Sequence, residues 1–292
     1  MTKSPYVAIF VCEPPMEGYS ETYGDFGDNA RELLATSSED WTSSERTVKY
    51  LVSFRGEYDS YKDELEAVHA QIREDVASGL IRGVIMTGSV SDSFNTSIPW
   101  IAALDQLIQE TLLPHSPAIP LVGICFGHQL LARHLGCKVG RNLPEHGVEC
   151  GTTTLDINKS ELLAIEDSPF DANLLHDRLN IVEFHQDIVY GLPPPASVDS
   201  LKTQFVCLGS TSKCAVQGII TSSGPLKVFT VQGHPEFTTP EAHRLLELDL
   251  KKKLIDQAQF DKVTYNTKSL NNQGPVLGSA IANFLTTHGK YT

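Results

Sequence analysis

The run Gly123-Ile124-Cys125-Phe126-Gly127-His128-Gln129 sets a thiol between two glycines, and Gly233-His234-Pro235-Glu236 follows far downstream. The first run stands where an apolar stretch, Ile119 to Ile124, gives way to a helix-like stretch. Glycines two before and two after the cysteine let the backbone reverse sharply and expose the central side chain, the layout of a nucleophile elbow. The second run supplies what such a thiol requires: an imidazole to take its proton and a carboxylate two residues on to orient the imidazole. A free thiol with pKa about 8.5 is mostly protonated at neutral pH. A helix N-terminus and a nearby imidazole both favour the thiolate, and this position offers Cys125 both. The two runs together read as cysteine-based acyl transfer, with Cys125 as nucleophile, His234 as base and then acid, and Glu236 fixing the tautomer. Singly they say less: a free cysteine is most often a small buried hydrophobe, and an isolated His-x-Glu is most often a polar loop.

For these segments to meet, the intervening chain must place them at one edge of a common scaffold. Tyr6 to Val11 reads as a buried strand, Val48 to Phe54 as a second, Val84 to Met86 as a third and Leu121 to Ile124 as a fourth. Between them, Tyr61 to Val76 and Ile98 to Leu112 carry apolar residues at helical spacing, and His128 to Leu135 forms the helix after the elbow. Asp28 to Leu34 is a short helix candidate. This alternation predicts an α/β fold: an open, mostly parallel sheet with helices on both faces. After Gly140 the texture changes. Gly151 to Ile157, Phe205 to Gly209, Ala215 to Thr221 and Lys227 to Val231 are short and β-branched, a small, mainly antiparallel β extension from which the last can rejoin the main sheet. Glu241 to Ile255 and Ser279 to Leu285 read as helices. Open α/β sheets carry their sites at the carboxyl ends of the strands, where Gly88-Ser89, Cys125 and His234 all fall.

Composition sets the bounds. The 292 residues read as one domain spanning 1–292, with an insertion at 17–47 and a C-terminal helical extension at 251–292. Pro193-Pro194-Pro195 is a stiff turn rather than a linker. The net charge of −13 argues against nucleic acid and against anionic membrane surfaces as partners. No apolar stretch is long enough to span a membrane, and the run before Glu13-Pro14-Pro15 is too short for a signal sequence. The six cysteines are dispersed, as expected of reduced thiols in a cytoplasmic enzyme. Cys207 and Cys214 have the wrong spacing for a zinc knuckle. No histidine cluster implies a metal, and no glycine-rich nucleotide loop follows a strand, so no cofactor is expected.

The Cys125 block and the His234/Glu236 block, in this order, resemble the two signature segments of the class I (triad-type) glutamine amidotransferases, over roughly Tyr6 to Leu250. The resemblance implies that family's flavodoxin-like fold and hydrolysis of a γ-glutamyl amide through a γ-glutamyl thioester. It implies an oxyanion hole at Phe126 and the Gly88-Ser89 loop, where Thr87-Gly88-Ser89 stands in place of the two glycines and proline of many members. It implies substrate binding by Ser89, Gln129 and the segment His185, Gln186 and Asp187, with Asp92 a further candidate for the substrate amine. Helix surface is the alternative for Gln129, and a strand-ending turn for Gly88-Ser89. His128 and His134 read as structural. The chain looks most like the standalone, γ-glutamyl peptidase-like branch, because its length leaves no room for an ATP-using synthase domain. The implied partner is a small γ-glutamyl molecule: glutamine, glutathione or a conjugate. The alternatives are a glutaminase subunit serving a separate synthase and a non-catalytic regulatory protein on the same fold.

Overall fold

The apolar hexapeptide Tyr6–Val11 forms the first strand, β1, and is buried along its whole length. The computed structural model describes residues 4–42, 46–195 and 202–289. Around β1 stand β2 (Thr47–Leu51), β3 (Ile81–Met86) and β4 (Leu121–Ile124). Next come β5 (Val139–Arg141), β6 (Glu149–Ile157), β7 (Arg178–His185) and β8 (Asp187–Val189). The last four are β9 (Gln204–Cys207), β10 (Gly209–Ser210), β11 (Gly218–Ser223) and β12 (Val228–Val231). Seven strands make the main sheet in the order β2-β1-β3-β4-β12-β11-β9. The first five in that order run parallel, and β11 and β9 add an antiparallel edge. Lys227 to Val231 thus rejoins the main sheet, as β12 beside β4. A three-stranded antiparallel sheet, β10-β6-β7, and a β5-β8 pair complete the strands.

Alternation along β1 divides the core, because successive side chains of a strand point to opposite faces. Tyr6, Ala8 and Phe10 pack with the helices Lys62–Ala77, Pro99–Leu107 and Phe126–His134. Val7 and Ile9 pack under the helices Phe26–Ser37 and Gly274–His288, together with Leu155, Leu179 and Ile181 of the smaller sheet. The segment 17–47, expected as an insertion, holds a full helix, longer than Asp28 to Leu34, begun by a capping box between Asp25 and Asp28. Residues 43–45 of the insertion and 290–292 of the tail lie outside the described residues.

Several boundaries move for physical reasons. The helix expected from Ile98 to Leu112 changes after Leu107 to a π-helical turn, Ile108–Leu112. Pro114 lies just beyond; it has no N–H for the carbonyl of Glu110 and its ring would crowd that carbonyl, so the ladder shifts register. Phe205 to Gly209 is not one strand: β9 joins the main sheet, β10 joins the smaller one, and buried Leu208 stands between them. One element beyond those expected is β7, and the C-terminal extension expected to be helical holds the helix Gln257–Ser269, whose only fully buried residue is Thr267. No described helix is long and apolar enough to cross a membrane.

Candidate active site

Cys125 follows β4 directly and begins the helix Phe126–His134, with φ 51° and ψ −101°. A side chain held at positive φ costs about 1–3 kcal/mol and persists only where its surroundings enforce it. The flanking glycines show how. A Cβ on Gly123 would lie 2.5 Å from the Gly127 carbonyl, and one on Gly127 would collide with the Met86 carbonyl. The elbow therefore packs backbone to backbone against the end of β3, and the Cys125 N–H donates to the Val231 carbonyl at 2.8 Å.

β12 runs parallel to β4, with Val231 opposite Ile124. This register brings the turn after β12 beside the elbow. The His234 N–H donates to the Val182 carbonyl at 2.7 Å, tying that turn to β7. His234 Nδ1 donates to Glu236 Oε1 at 2.7 Å; the Cys125 thiol, which lines the same cavity as His234, lies 3.8 Å from the Phe184 carbonyl. Phe237 stacks on the imidazole at 4.5 Å, and Phe26 and Phe184 meet it edge-on at 6.4 and 6.3 Å. Burial opposes a charge on this ring, but the Glu236 carboxylate and the Cys125 sulfur outweigh it and raise the His234 pKa well above the ordinary value. A Cβ on Gly88 would be 2.7 Å from His234 Cε1 and 3.6 Å from Cys125 Cβ, so the loop after β3 borders both groups.

The other expected residues line the same cavity, of about 540 Å³: Ser89, Gln129, His185, Gln186 and Asp187 all face it. Gln129 is buried rather than on a helix surface; its Nε2 donates to the Asp187 carbonyl at 3.0 Å and to Gln232 Oε1 at 3.2 Å. The Ser89 hydroxyl donates to Glu13 at 2.9 Å. His185 is enclosed by the fold: Nε2 lies 3.1 Å from Glu149 and 3.3 Å from Glu183, and Nδ1 is 3.2 Å from the Asp187 carbonyl. Burial disfavours its charge, yet those two carboxylates overcome it and lift the His185 pKa to about 10. Burial in turn raises Glu183. His128, whose Nδ1 is 2.8 Å from the Thr230 hydroxyl, is pushed down to about 3 by burial and then by His185. His134 contacts Asp105 at 2.9 Å.

Sequence reasoning missed Arg141, which joins the site from β5. Its guanidinium reaches Asp187 at 3.0 Å and Asp92 at 2.9 Å across the cavity mouth. Burial pushes Asp187 up to about 6; Arg141 pulls it back and Asp92 adds to the rise. The far wall comes from the Thr239–Lys251 helix and the turn after it, through Leu245, Asp249, Lys252 and Ile255. Burial holds Asp249 near 6, against the pull of Lys252, giving a value of about 6. Among the described residues no group of three or more His, Cys, Asp or Glu side chains is arranged to hold a metal ion.

A family model described as glutamine amidotransferase class-I matches residues 57–253. A provisional glutamine amidotransferase of Saccharomyces cerevisiae is 30% identical over 269 residues, 92% of either chain. Gamma-glutamyl peptidase 3 of Arabidopsis thaliana is 30% identical over 212 residues, 72% of this chain and 77% of its own. Among solved structures, a glutamine amidotransferase of Thermotoga maritima superposes with a TM-score of 0.59 at 18% identity, over 98% of this chain and 100% of that one. This last likeness is one of fold.

Proposed function

This chain belongs to the class I glutamine amidotransferase family, and on that premise we propose that it hydrolyses γ-glutamyl amides through a thioester on Cys125. One observation carries the reading: a thiol on a strained elbow lines the same cavity as an imidazole whose Nδ1 is held by a buried carboxylate. The Cys125 sulfur attacks the γ-carbonyl carbon while its proton resides on His234. Negative charge gathers on the carbonyl oxygen, facing the N–H of Phe126 and that of the Gly88-Ser89 loop. Such donors are worth about 2.7–4 kcal/mol each in comparable sites. Collapse breaks the C–N bond, His234 protonates the departing amine, and a γ-glutamyl thioester remains. Water then adds to the thioester carbonyl and gives its proton to His234; glutamate departs and the thiol is restored.

Arg141 is placed to meet the α-carboxylate of the substrate, and Asp92 and Asp187 its α-ammonium. The cavity favours a leaving group larger than ammonia, since glutamine alone fills little of about 540 Å³. The relative named gamma-glutamyl peptidase supports the same choice. Six unpaired cysteines suit a reducing compartment, and we place the protein in the cytoplasm.

The test is glutamate release by the purified protein from glutamine, glutathione and a glutathione S-conjugate, beside Cys125→Ser. The expected outcome is Cys125-dependent release, faster from the two peptides than from glutamine. Slow release from glutamine alone turns the reading toward a glutaminase that serves a separate synthase. No release from any of the three removes it.

A further inference from the structure

Beyond β1 the chain runs alongside the loop that follows β3 and stitches it at two levels. The Thr87 N–H donates to the Phe10 carbonyl at 3.1 Å, and the Cys12 N–H donates to Thr87 Oγ1 at 2.9 Å. One step further, Glu13 Oε2 accepts the Ser89 hydroxyl at 2.9 Å and the Val90 N–H at 3.1 Å. The Ser91 N–H donates back to Ser89 Oγ at 3.1 Å. Glu13 is only 3% exposed, and its other oxygen pairs with Arg55. The N–H groups of Val90 and Ser91 are thus taken, by Glu13 and by Ser89. Those of Gly88 and Ser89 make no hydrogen bond to another described residue, and Gly88 lies against Cys125 and His234.

We propose that Glu13 is a positioning residue for the oxyanion loop. Its carboxylate, acting through the Ser89 hydroxyl and the Val90 N–H, fixes the peptide planes at Gly88 and Ser89 so that their N–H groups face the γ-carbonyl oxygen as it becomes negative. A carboxylate suits the task because hydrogen bonds to a charged acceptor are short and strong. Arg55 offsets the charge, so the anion that anchors the loop does not repel the anion that forms beside it. Val90 is 67% exposed, so the loop meets solvent directly beside the Glu13 contact. The assignment rests on the reading of Cys125 as an acyl-transfer nucleophile. It also gives Ser89 a role in shaping the loop, in place of direct contact with substrate through its hydroxyl.

The test compares wild type, Glu13→Ala, Glu13→Gln and Ser89→Ala in kcat and KM for a γ-glutamyl peptide, and in the rate of iodoacetamide alkylation at the Cys125 peptide, read by mass. Alkylation attacks a methylene carbon and develops no carbonyl oxyanion, so it reports the thiol without the loop. Burial pushes Cys12, Cys137 and Cys214 up to about 12, which keeps them slow at neutral pH. For Glu13→Ala the expected result is a kcat lower by about 10²–10³-fold. Its KM should stay within about threefold and its alkylation rate within about twofold of wild type. Glu13→Gln, which keeps one acceptor oxygen, recovers part of the loss. A Glu13→Ala kcat within about threefold of wild type overturns the assignment, as does an equal fall in kcat and alkylation. Should Glu13→Ala not fold, the other two variants decide: lower kcat with unchanged alkylation supports the role, and unchanged kcat in both overturns it. A wild type that releases no glutamate removes the functional reading, and this assignment with it. An active wild type with an indifferent Glu13 removes this assignment alone.

Discussion

At Asp187, burial and the Asp92 carboxylate push the pKa from 3.8 up to about 6 against the pull of Arg141, which places its titration inside a working pH range. In its proposed role as a ligand for the substrate ammonium it acts only when ionised, so recognition is expected to weaken as pH falls through about 6. KM for a γ-glutamyl peptide is therefore expected to rise on the acid side while kcat, which depends on groups beyond this pair, does not follow it. Asp92→Asn removes the neighbouring negative charge and lowers the Asp187 pKa, moving the rise in KM to more acid pH. A KM flat between about pH 5 and 8 in wild type would remove Asp187 from ammonium recognition. The proposed triad was legible at this scale because its signals are local: two glycines around Cys125, and a carboxylate two residues from His234. Arg141, Glu13 and Phe26 gave no such signal. Each reaches the site from a different segment of the chain, and only the tertiary fold brings them together.

β7 shows why an element can stay hidden in a sequence. Two residues on its buried side are Glu183 and His185, so the apolar alternation that marks a half-buried strand is broken. Burial of these charges is offset by pairing among Glu183, His185 and Glu149, which lies across the register on β6. The helix Gln257–Ser269 was legible only as part of a helical extension, without bounds of its own, because it covers the smaller sheet with a mostly polar surface. His185→Gln keeps the size of the side chain but leaves two buried carboxylates without a countercharge. A loss of about 3–5 kcal/mol is expected in urea unfolding, and a loss below about 1 kcal/mol would mean that the pair is relieved by protonation instead. The sign with pH follows from the raised pKa. The stabilisation from His185 is complete below its ordinary value of 6.5 and disappears as pH rises through about 10. Wild-type stability should decline across that interval, and the variant should show a flatter profile.

For the whole molecule, the segments read from sequence as an insertion and a tail cover one face of the sheet. The helix Gly274–His288 starts where a Cβ on Gly274 would strike the carbonyl of Pro235, between His234 and Glu236. It then passes the Phe26–Ser37 helix so closely that a Cβ on Gly278 would strike Ser37 and Leu33. Its Ile281, Phe284 and Leu285 share a core with Val7 and Ile9 of β1. A chain ended after Ser269 should therefore lose cooperative unfolding, and hydrolytic activity with it. A truncated protein that kept both would show the helix to be peripheral. The same closure has a consequence for biosynthesis. β1 leaves the ribosome more than 200 residues before the helix that covers its Val7 and Ile9 side. At about 5–20 residues per second that side of the nascent sheet stays open for on the order of tens of seconds. The unfinished chain thus presents a greasy surface that chaperones would have to shield until that helix emerges.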